Sequence, residues 1–531
     1  MYKIIVRPTC IIVNDYDWDS CPRLQDNFKL YDMIRHTHYY YAIYYDKENK
    51  QLYLPRGIDL WFVQQCFDAY DDAIHYEEPD KFEYIDGIKM KYSPRDDVQK
   101  ECLKFMLGLE KYHENNSYSQ LSVNLNTGKG KSFVSIYTMA YTKVKSIIVT
   151  SVINWLKQWK NYLLEYTNLE DKDIVMISGA QSINMILAGR TRNINGKVFL
   201  VSHSTINSYG STYGWDKIRK LFQVLKIGNM FIDEAHTSFE NICRINYAVN
   251  VYKTYFITAT PLKSDQWENN IYQLSMKNVP SIDLFDPEND PHTDYIAIKW
   301  NSRPTPQEVS NCRNQYGLDR NKYISYVVDN ENFEYFMFVI MDIVLKKGGR
   351  VLLYIGTNEA IVKVYHWIAK WYPELIGEIG IYTSIVENKQ DERNKRIILS
   401  TTKSAGAAED IKGLKTTVVL AEPFKSEVLA RQTLGRTRDE NTIYIESVDL
   451  GFNKIKQYYY SKLPVFNKYA SSTSDINMNQ VQLEEKAGKI LEEREKIVKK
   501  SPICLNDHRF GYKDNAVVFG EQRNRNVLYF Y

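Results

Sequence analysis

The sequence predicts an α/β protein with two tandem parallel-sheet domains, a small α/β unit before them and a short extension after them. Three observations point there. Short β-rich runs alternate with helical segments over residues 91–265 and again over 331–450, as strands joined by crossover helices do. A polar segment with Pro280, Pro287, Pro291, Pro304 and Pro306 separates the two blocks. A glycine-rich turn ending in Gly-Lys-Ser lies between a strand-like and a helix-like run in the first block.

A chain of 531 residues, 44% of them apolar, has room for several domains with their own cores. Its 68 basic and 65 acidic residues leave a net charge of only +3. Any track for a polyanion must therefore be local. The 42 tyrosines accompany abundant Asn, Lys and Ile, as AT-rich coding would give; stacking on bases is the functional alternative. The seven cysteines, at 10, 21, 66, 102, 243, 312 and 504, include no C-x-x-C pair. That suggests neither a zinc site nor a disulfide framework, and it fits a reducing cytoplasm, bacterial or phage-infected. MYKIIVRPTC has no signal-peptide pattern, and the longest apolar run, Phe336 to Leu345, is broken by Asp342 and too short for a bilayer. No membrane role is expected.

Taken in order, residues 1–90 read as an accessory α/β unit. MYKIIVRPTCIIV alternates like a strand, and YYYAIYYD with KQLYLP looks like a hairpin. Its position and aromatic content suggest a substrate-selecting, DNA-binding module. A helix is expected within 91–112, starting after Pro94. The first block then offers strands near 121–125, 146–150, 173–177, 198–202, 229–232 and 254–258. Residues 266–330 read as a connector with one strand, IAIKW at 296–300. The second block begins with a helix from Asn332 to Lys347, a strand at 351–356 and a helix from Glu359 to Lys370. Its further strands lie near 379–382, 396–401, 416–421 and 442–446. Residues 451–531 form an extension with a charged helix over 481–500, whose i,i+4 charges suggest a solvated helix.

The stretch LNTGKGKS, 125–132, carries the first chemistry. Leu121 to Leu125 alternates as a strand does, and Phe133, Ile136, Met139 and Ala140 recur at helical spacing. In that setting the turn reads as a P-loop. Backbone N–H groups of Thr127, Gly128, Lys129, Gly130, Lys131 and Ser132 would wrap a β-phosphate at a helix N-terminus. Lys131 would reach the β and γ oxygens, and Ser132 would ligate Mg²⁺. The run MFIDEAH, 230–236, ends a strand on an acidic pair. Asp233 would hold the Mg²⁺ water shell, and Glu234 would polarise the attacking water. The stretch QTLGRTRDE, 432–440, offers Arg436 and Arg438 as arginine fingers. ATP and Mg²⁺ are the expected cofactors.

These motifs, in this order, resemble those of the superfamily 2 helicases and translocases, with a DEAH box, and are similar to the UvsW-type phage helicases and XPB-like enzymes. The resemblance covers roughly 91–450. TGKGKS looks like motif I and DEAH is motif II. ITATP (257–261) resembles motif III, SIIVTSVINWLKQW (146–159) motif Ia, and VSHSTI (201–206) motif Ib. PRDDVQ (94–99) is similar to the family's Arg-x-x-x-Gln element. VLLYIGT resembles motif IV, STTKSAGAAEDIKGL (400–414) motif V, and QTLGRTR motif VI.

The resemblance implies two RecA-like domains with ATP·Mg²⁺ in the cleft between them. It implies Gln99 near the adenine and Asp410 at the ribose. It further implies nucleic-acid contacts from Gln158, Trp159, Ser202, Thr205, Thr357 and Thr402, which would position a strand without reading its sequence. The implied activity is that of an ATP-dependent DNA helicase or translocase of 3′→5′ polarity. It would act as a monomeric motor on branched or partly single-stranded DNA in replication, recombination or repair. An RNA helicase and the double-strand translocase motor of a defence complex are the alternatives. The chain departs from the family at Leu125, where Ala or Gly is usual, and at Ala408, where Gly is common. In motif VI the last arginine falls one residue early, at Arg438, with Asp439 in the expected slot, so Arg436 is the firmer finger.

Overall fold

The computed structural model describes residues 2–500 except 19–20, 33–35, 68, 70, 126–127, 152, 236–237, 259–265, 285–291, 387–388, 406–410, 412 and 437–440. The chain divides into two units between residues 285 and 286.

The first unit opens with β1 (Lys3–Val6), β2 (Cys10–Asn14), β3 (Lys29–Asp32), β4 (Thr37–Tyr40), β5 (Tyr44–Asp46), β6 (Gln51–Pro55) and β7 (Ile74–Tyr76). Five of them form a sheet in the order β5-β6-β2-β1-β7, antiparallel except where β1 meets β7. β3 and β4 pair separately as an antiparallel ribbon. The expected hairpin over YYYAIYYD and KQLYLP is the β5–β6 pair.

Seven parallel strands follow: β8 (Gln120–Asn124), β9 (Ser146–Thr150), β10 (Ile174–Ile177), β11 (Val198–Ser202), β12 (Asn229–Asp233), β13 (Lys253–Thr258) and β14 (Ser281–Asp283). Their order is β10-β11-β9-β12-β13-β8-β14. SIIVT and VFLVS are buried at every position, because helices cover both faces of a parallel sheet. The parallel arrangement puts the C-terminal ends of β8, β9, β11 and β12 on one edge, where ligands of such sheets bind.

The N-terminal sheet is not free-standing. Ile4, Val13, Leu52 and Leu54 share one core with Phe239, Cys243 and Tyr247 of the helix Phe239–Ala248 and with Ile271 and Tyr272 of the helix Gln266–Met276. Thr9 Oγ1 donates to the Val249 carbonyl at 2.6 Å, and the Tyr247 hydroxyl donates to that of Ala42 at 2.5 Å. A strap then crosses the opposite, N-terminal edge of the parallel sheet. The N–H groups of Asp80, Glu83, Ile85 and Lys91 donate to the carbonyls of Asn250, Lys226, Lys143 and Tyr166. Phe82 of this strap packs on Gly228 so closely that a Cβ there would lie 2.8 Å from its ring.

The second unit holds β15 (Thr293–Trp300), the small hairpin β16 (Arg313–Asn314) and β17 (Gly317–Leu318), then β18 (Arg350–Ile355), β19 (Ile379–Tyr382), β20 (Ile397–Ser400), β21 (Leu414–Ala421), β22 (Thr442–Asp449) and β23 (Ser472–Asn477). The large sheet runs β19-β20-β18-β21-β22-β15-β23, again parallel throughout. The two seven-stranded parallel sheets are those of tandem RecA-like domains.

Residues 266–330 are thus more than a connector with one strand. They supply β14 to the first sheet, β15 to the second and the helices Gln266–Met276, Pro306–Asn311 and Arg320–Val328. The extension likewise enters the second unit. β23 pairs with β15, and Lys462 of the helix Asn453–Tyr469 forms a buried ion pair with Glu446, which also accepts from the Tyr295 hydroxyl at 2.6 Å. The helix Gln480–Lys500, expected to be solvated, buries Leu483 and Ala487 in the core of this unit. Its Arg494 pairs with Glu374 and lies 4.0 Å over the Tyr372 ring. Among the described residues no helix is long and apolar enough to cross a membrane.

Candidate nucleotide and nucleic-acid site

β8 runs into the glycine-rich loop, and the helix Lys131–Thr142 follows. Thr127 lies outside the described residues. Gly128 and Gly130 have φ of 88° and 91°, a left-handed backbone that favours glycine. Gly130 is the N-cap, and no side chain caps this helix. Its first-turn N–H groups therefore remain directed at the loop, as anion binding requires. A Cβ at Gly130 would lie 2.3 Å from Gln99 Nε2. Gln99, almost fully buried, donates to the Lys129 carbonyl at 3.2 Å and accepts from the Arg95 N–H at 3.0 Å. Arg95 in turn donates to the Gly128 carbonyl at 2.9 Å. The segment expected at the adenine thus braces the loop itself.

β12 delivers the acidic pair. Asp233 ends the strand, and Glu234 turns away with φ 50°, an uncommon backbone for a side-chain-bearing residue. Lys131 Nζ lies 2.6 Å from Glu234 Oε1, with both side chains about nine-tenths buried. Asp233 Oδ2 accepts from Trp159 Nε1 at 2.8 Å. Burial, then the neighbouring charge of Glu234, push the Asp233 carboxyl up to about 6, against the pull of Lys131 and the indole bond. Ser132 stands half-buried on the first helical turn. An uncapped helix start, a cation and two carboxylates suit a triphosphate. Ser132 and Asp233 offer the hard oxygen ligands that Mg²⁺ takes.

The residues expected at nucleic acid sit mostly at strand-to-helix junctions on the C-terminal edges of their sheets. Their polar atoms bond within the protein. Trp159 is 3% exposed and holds Asp233 rather than facing solvent. Gln158 donates to the Tyr162 hydroxyl at 2.7 Å. Ser202, fully buried, caps the helix His203–Tyr213 by accepting from the Thr205 N–H, and its hydroxyl meets that of Thr205 at 2.9 Å. Thr357 caps the helix Asn358–Trp371 through the Ala360 N–H. The Thr402 N–H donates to Glu422 Oε2 at 3.3 Å. A helix that starts directly after a strand leaves N–H groups to satisfy, and Ser and Thr satisfy them well.

In the second unit Arg436 is 5% exposed and lies near the buried Tyr354, whose phenol is raised by burial and lowered by that guanidinium. Arg438 and Asp410 lie outside the described residues. Glu422 went unread in the sequence. It pairs with Arg320, which also donates to the Gly356 carbonyl at 2.8 Å, so it ties the ends of β18 and β20 together. A carboxylate closing the β-rich run TTVVLAE was the available signal.

A parallel sheet with a glycine-rich loop after one strand, and a lysine from that loop facing an acidic pair on another, is the arrangement that a P-loop nucleotide site requires. Residues 91–263 match the family described as Type III restriction enzyme, res subunit. The chain is 23% identical over 417 residues to "Putative helicase 161L" of Invertebrate iridescent virus 6, covering 74% of this chain and 85% of the viral one. Among solved structures it is similar to the ATP-dependent Type ISP restriction-modification enzyme LlaBIII bound to DNA, at 13% identity and a TM-score of 0.50, over 78% of this chain but only 33% of that one. It is also similar to S. cerevisiae Dbp5 bound to RNA and ADP BeF3 (15%, TM-score 0.47, 76% and 92% covered) and to T4 UvsW (13%, TM-score 0.35, 90% and 99% covered). The likeness to LlaBIII shows the fold. The family match and the viral relative support a superfamily 2 helicase, a class that hydrolyses ATP.

Proposed function

We propose that the chain is a DNA-stimulated ATP hydrolase, a helicase or translocase of 3′→5′ polarity that remodels branched or partly single-stranded DNA as a monomeric motor. The observation that carries this reading is Lys131 held 2.6 Å from Glu234, beside Asp233 and an uncapped helix start. DNA as the track rests on the order of motifs resembling the UvsW and XPB group.

On this reading Lys131 exchanges Glu234 for the β and γ oxygens of ATP. After that exchange the Glu234 carboxylate would orient and deprotonate the attacking water. Mg²⁺, held by Ser132 and Asp233, would draw charge from the phosphate oxygens. The loop N–H groups of Gly128 to Ser132 hold the phosphates in place, and Gln99 with Arg95 keeps that loop in shape. Arg436 would supply positive charge to the transition state. Thr402 and Thr357, with Ser202 and Thr205, would lie along the strand once the hydrogen bonds at these helix starts admit a phosphate.

Strand displacement from forked duplexes with a 3′ or a 5′ single-stranded arm tests the proposal. ATP-dependent release from the 3′-armed fork, absent in Lys131→Ala, is expected. Release from the 5′-armed fork alone, or from RNA duplexes alone, would overturn the assignment.

A further inference from the structure

We infer that Trp159 is a positioning residue for Asp233, and that the helix Ile153–Tyr166 links strand binding to the nucleotide site; the second half rests on the helicase reading above. The indole Nε1–H donates to Asp233 Oδ2 at 2.8 Å from a ring that is 3% exposed. A carboxylate rotates broadly about its terminal torsion. An indole is a donor only and keeps its proton throughout the working pH range. With the Glu234 backbone N–H, which also bonds this carboxylate, it fixes the orientation of Asp233 and so the direction in which its remaining lone pairs meet the metal's water shell. Outer partners of this kind orient ligating groups elsewhere.

The same helix touches the loop side. The Trp159 ring meets Tyr162 edge-on with centroids 6.5 Å apart, and Tyr162 stacks on Tyr166 at 5.6 Å with 4° between planes. Tyr166 meets Phe133 edge-on at 5.6 Å, and Phe133 lies two residues beyond Lys131 on the P-loop helix. Gln158 donates to the Tyr162 hydroxyl at 2.7 Å, so a strand that engages Gln158 pulls on this ladder. One rigid helix thereby contacts the acidic strand through Trp159 and the phosphate helix through Tyr166. A small rotation of it moves Asp233 relative to Lys131.

The test uses the full chain and Trp159→Phe, which keeps a ring and removes the donor, with Trp159→His as the variant that restores a ring N–H. Binding of a non-hydrolysable ATP analogue is measured with and without Mg²⁺. Trp159→Phe should weaken the Mg²⁺-dependent part about 10-fold, leave Mg²⁺-free binding unchanged, and be partly rescued by Trp159→His. Equal Mg²⁺ dependence in all three proteins overturns the positioning role, whether or not the chain unwinds anything. The link is read separately in the wild-type protein without nucleotide or metal. There the indole N–H resonance lost in Trp159→Phe should shift when single-stranded DNA is added. DNA that binds without shifting that resonance overturns the link, whereas a chain that binds no DNA overturns the helicase reading and the link with it, leaving the Mg²⁺ result to stand alone. Should Trp159→Phe not fold, the resonance is identified by its loss in Trp159→His, and it must shift with the Mg²⁺-analogue complex and not with the analogue alone; the same position in both overturns the positioning role.

Discussion

Lys131 and Glu234 lie 103 residues apart in sequence and 2.6 Å apart in space, a nearly buried ion pair across the edge of the first parallel sheet. Removing Lys131 takes a close counter-charge from the nearly buried Glu234, at a cost on the order of 3 kcal/mol. Lys131→Ala should therefore lose both ATP turnover and stability. Lys131→Ala combined with Glu234→Gln should regain stability while staying inactive. Thermal melts and steady-state turnover of the three proteins separate these effects. A Lys131→Ala protein that melts as wild type would contradict the pair's energetic role.

Arg436→Ala should bind nucleotide nearly as wild type yet turn it over about 10³-fold more slowly, the cost of losing an arginine finger. Equilibrium binding of a fluorescent ATP analogue beside kcat makes the distinction. A collapse of binding with no further loss in kcat would mark Arg436, packed near Tyr354, as a scaffold residue instead.

Removing residues 1–90 should not yield a working motor that lacks only substrate preference. The cut would expose Phe239, Tyr247, Ile271 and Tyr272, which complete the N-terminal core, and would remove the strap along the sheet edge. Aggregation or a grossly lowered Tm is expected. The milder Thr9→Val, which deletes the 2.6 Å bond to the Val249 carbonyl, should cost about 1 kcal/mol. A truncated chain that folds and hydrolyses ATP normally would contradict the shared core.

Lys253 predicts a pH dependence. Burial pulls its ammonium down to about 8, while its Nζ donates to the Asn115 carbonyl at 2.7 Å. The unfolded chain keeps the ordinary lysine value of about 10.4. Between those two values the unfolded state binds more protons, so this residue makes stability rise with pH by up to about 1.4 kcal/mol per unit. The stability difference between wild type and Lys253→Met should therefore move in favour of wild type from pH 8 to 10. Urea melts at both ends of that window check it, and a constant difference would contradict it.

Strands such as SIIVT and VFLVS were readable because both faces are buried and the apolar run is unbroken. β23 was not, since STSDIN is exposed at every position and is held by backbone pairing with β15 and by bonds such as Lys299 to Asp475, which carry no hydrophobic pattern. β14 is three residues long and carries no pattern, whereas β15 was legible as IAIKW at 296–300 among the prolines of 266–330, short only of its first residues from Thr293. In the candidate site, the Gly-Lys-Ser turn and the Asp-Glu pair announce themselves locally at strand ends. The Trp159–Asp233 bond does not. It joins residues 74 apart, and it exists because β9 pairs with β12 although β10 and β11 intervene in sequence. The Arg320–Glu422 pair, 102 residues apart, is likewise a product of sheet order.

The most direct test of the central claim is steady-state ATP hydrolysis by the full chain without nucleic acid and with single-stranded DNA, a DNA fork or RNA, with Lys131→Ala alongside. Single-stranded DNA or the fork should stimulate turnover strongly, and Lys131→Ala should abolish it. Turnover that no nucleic acid stimulates, or that survives Lys131→Ala, would contradict that claim.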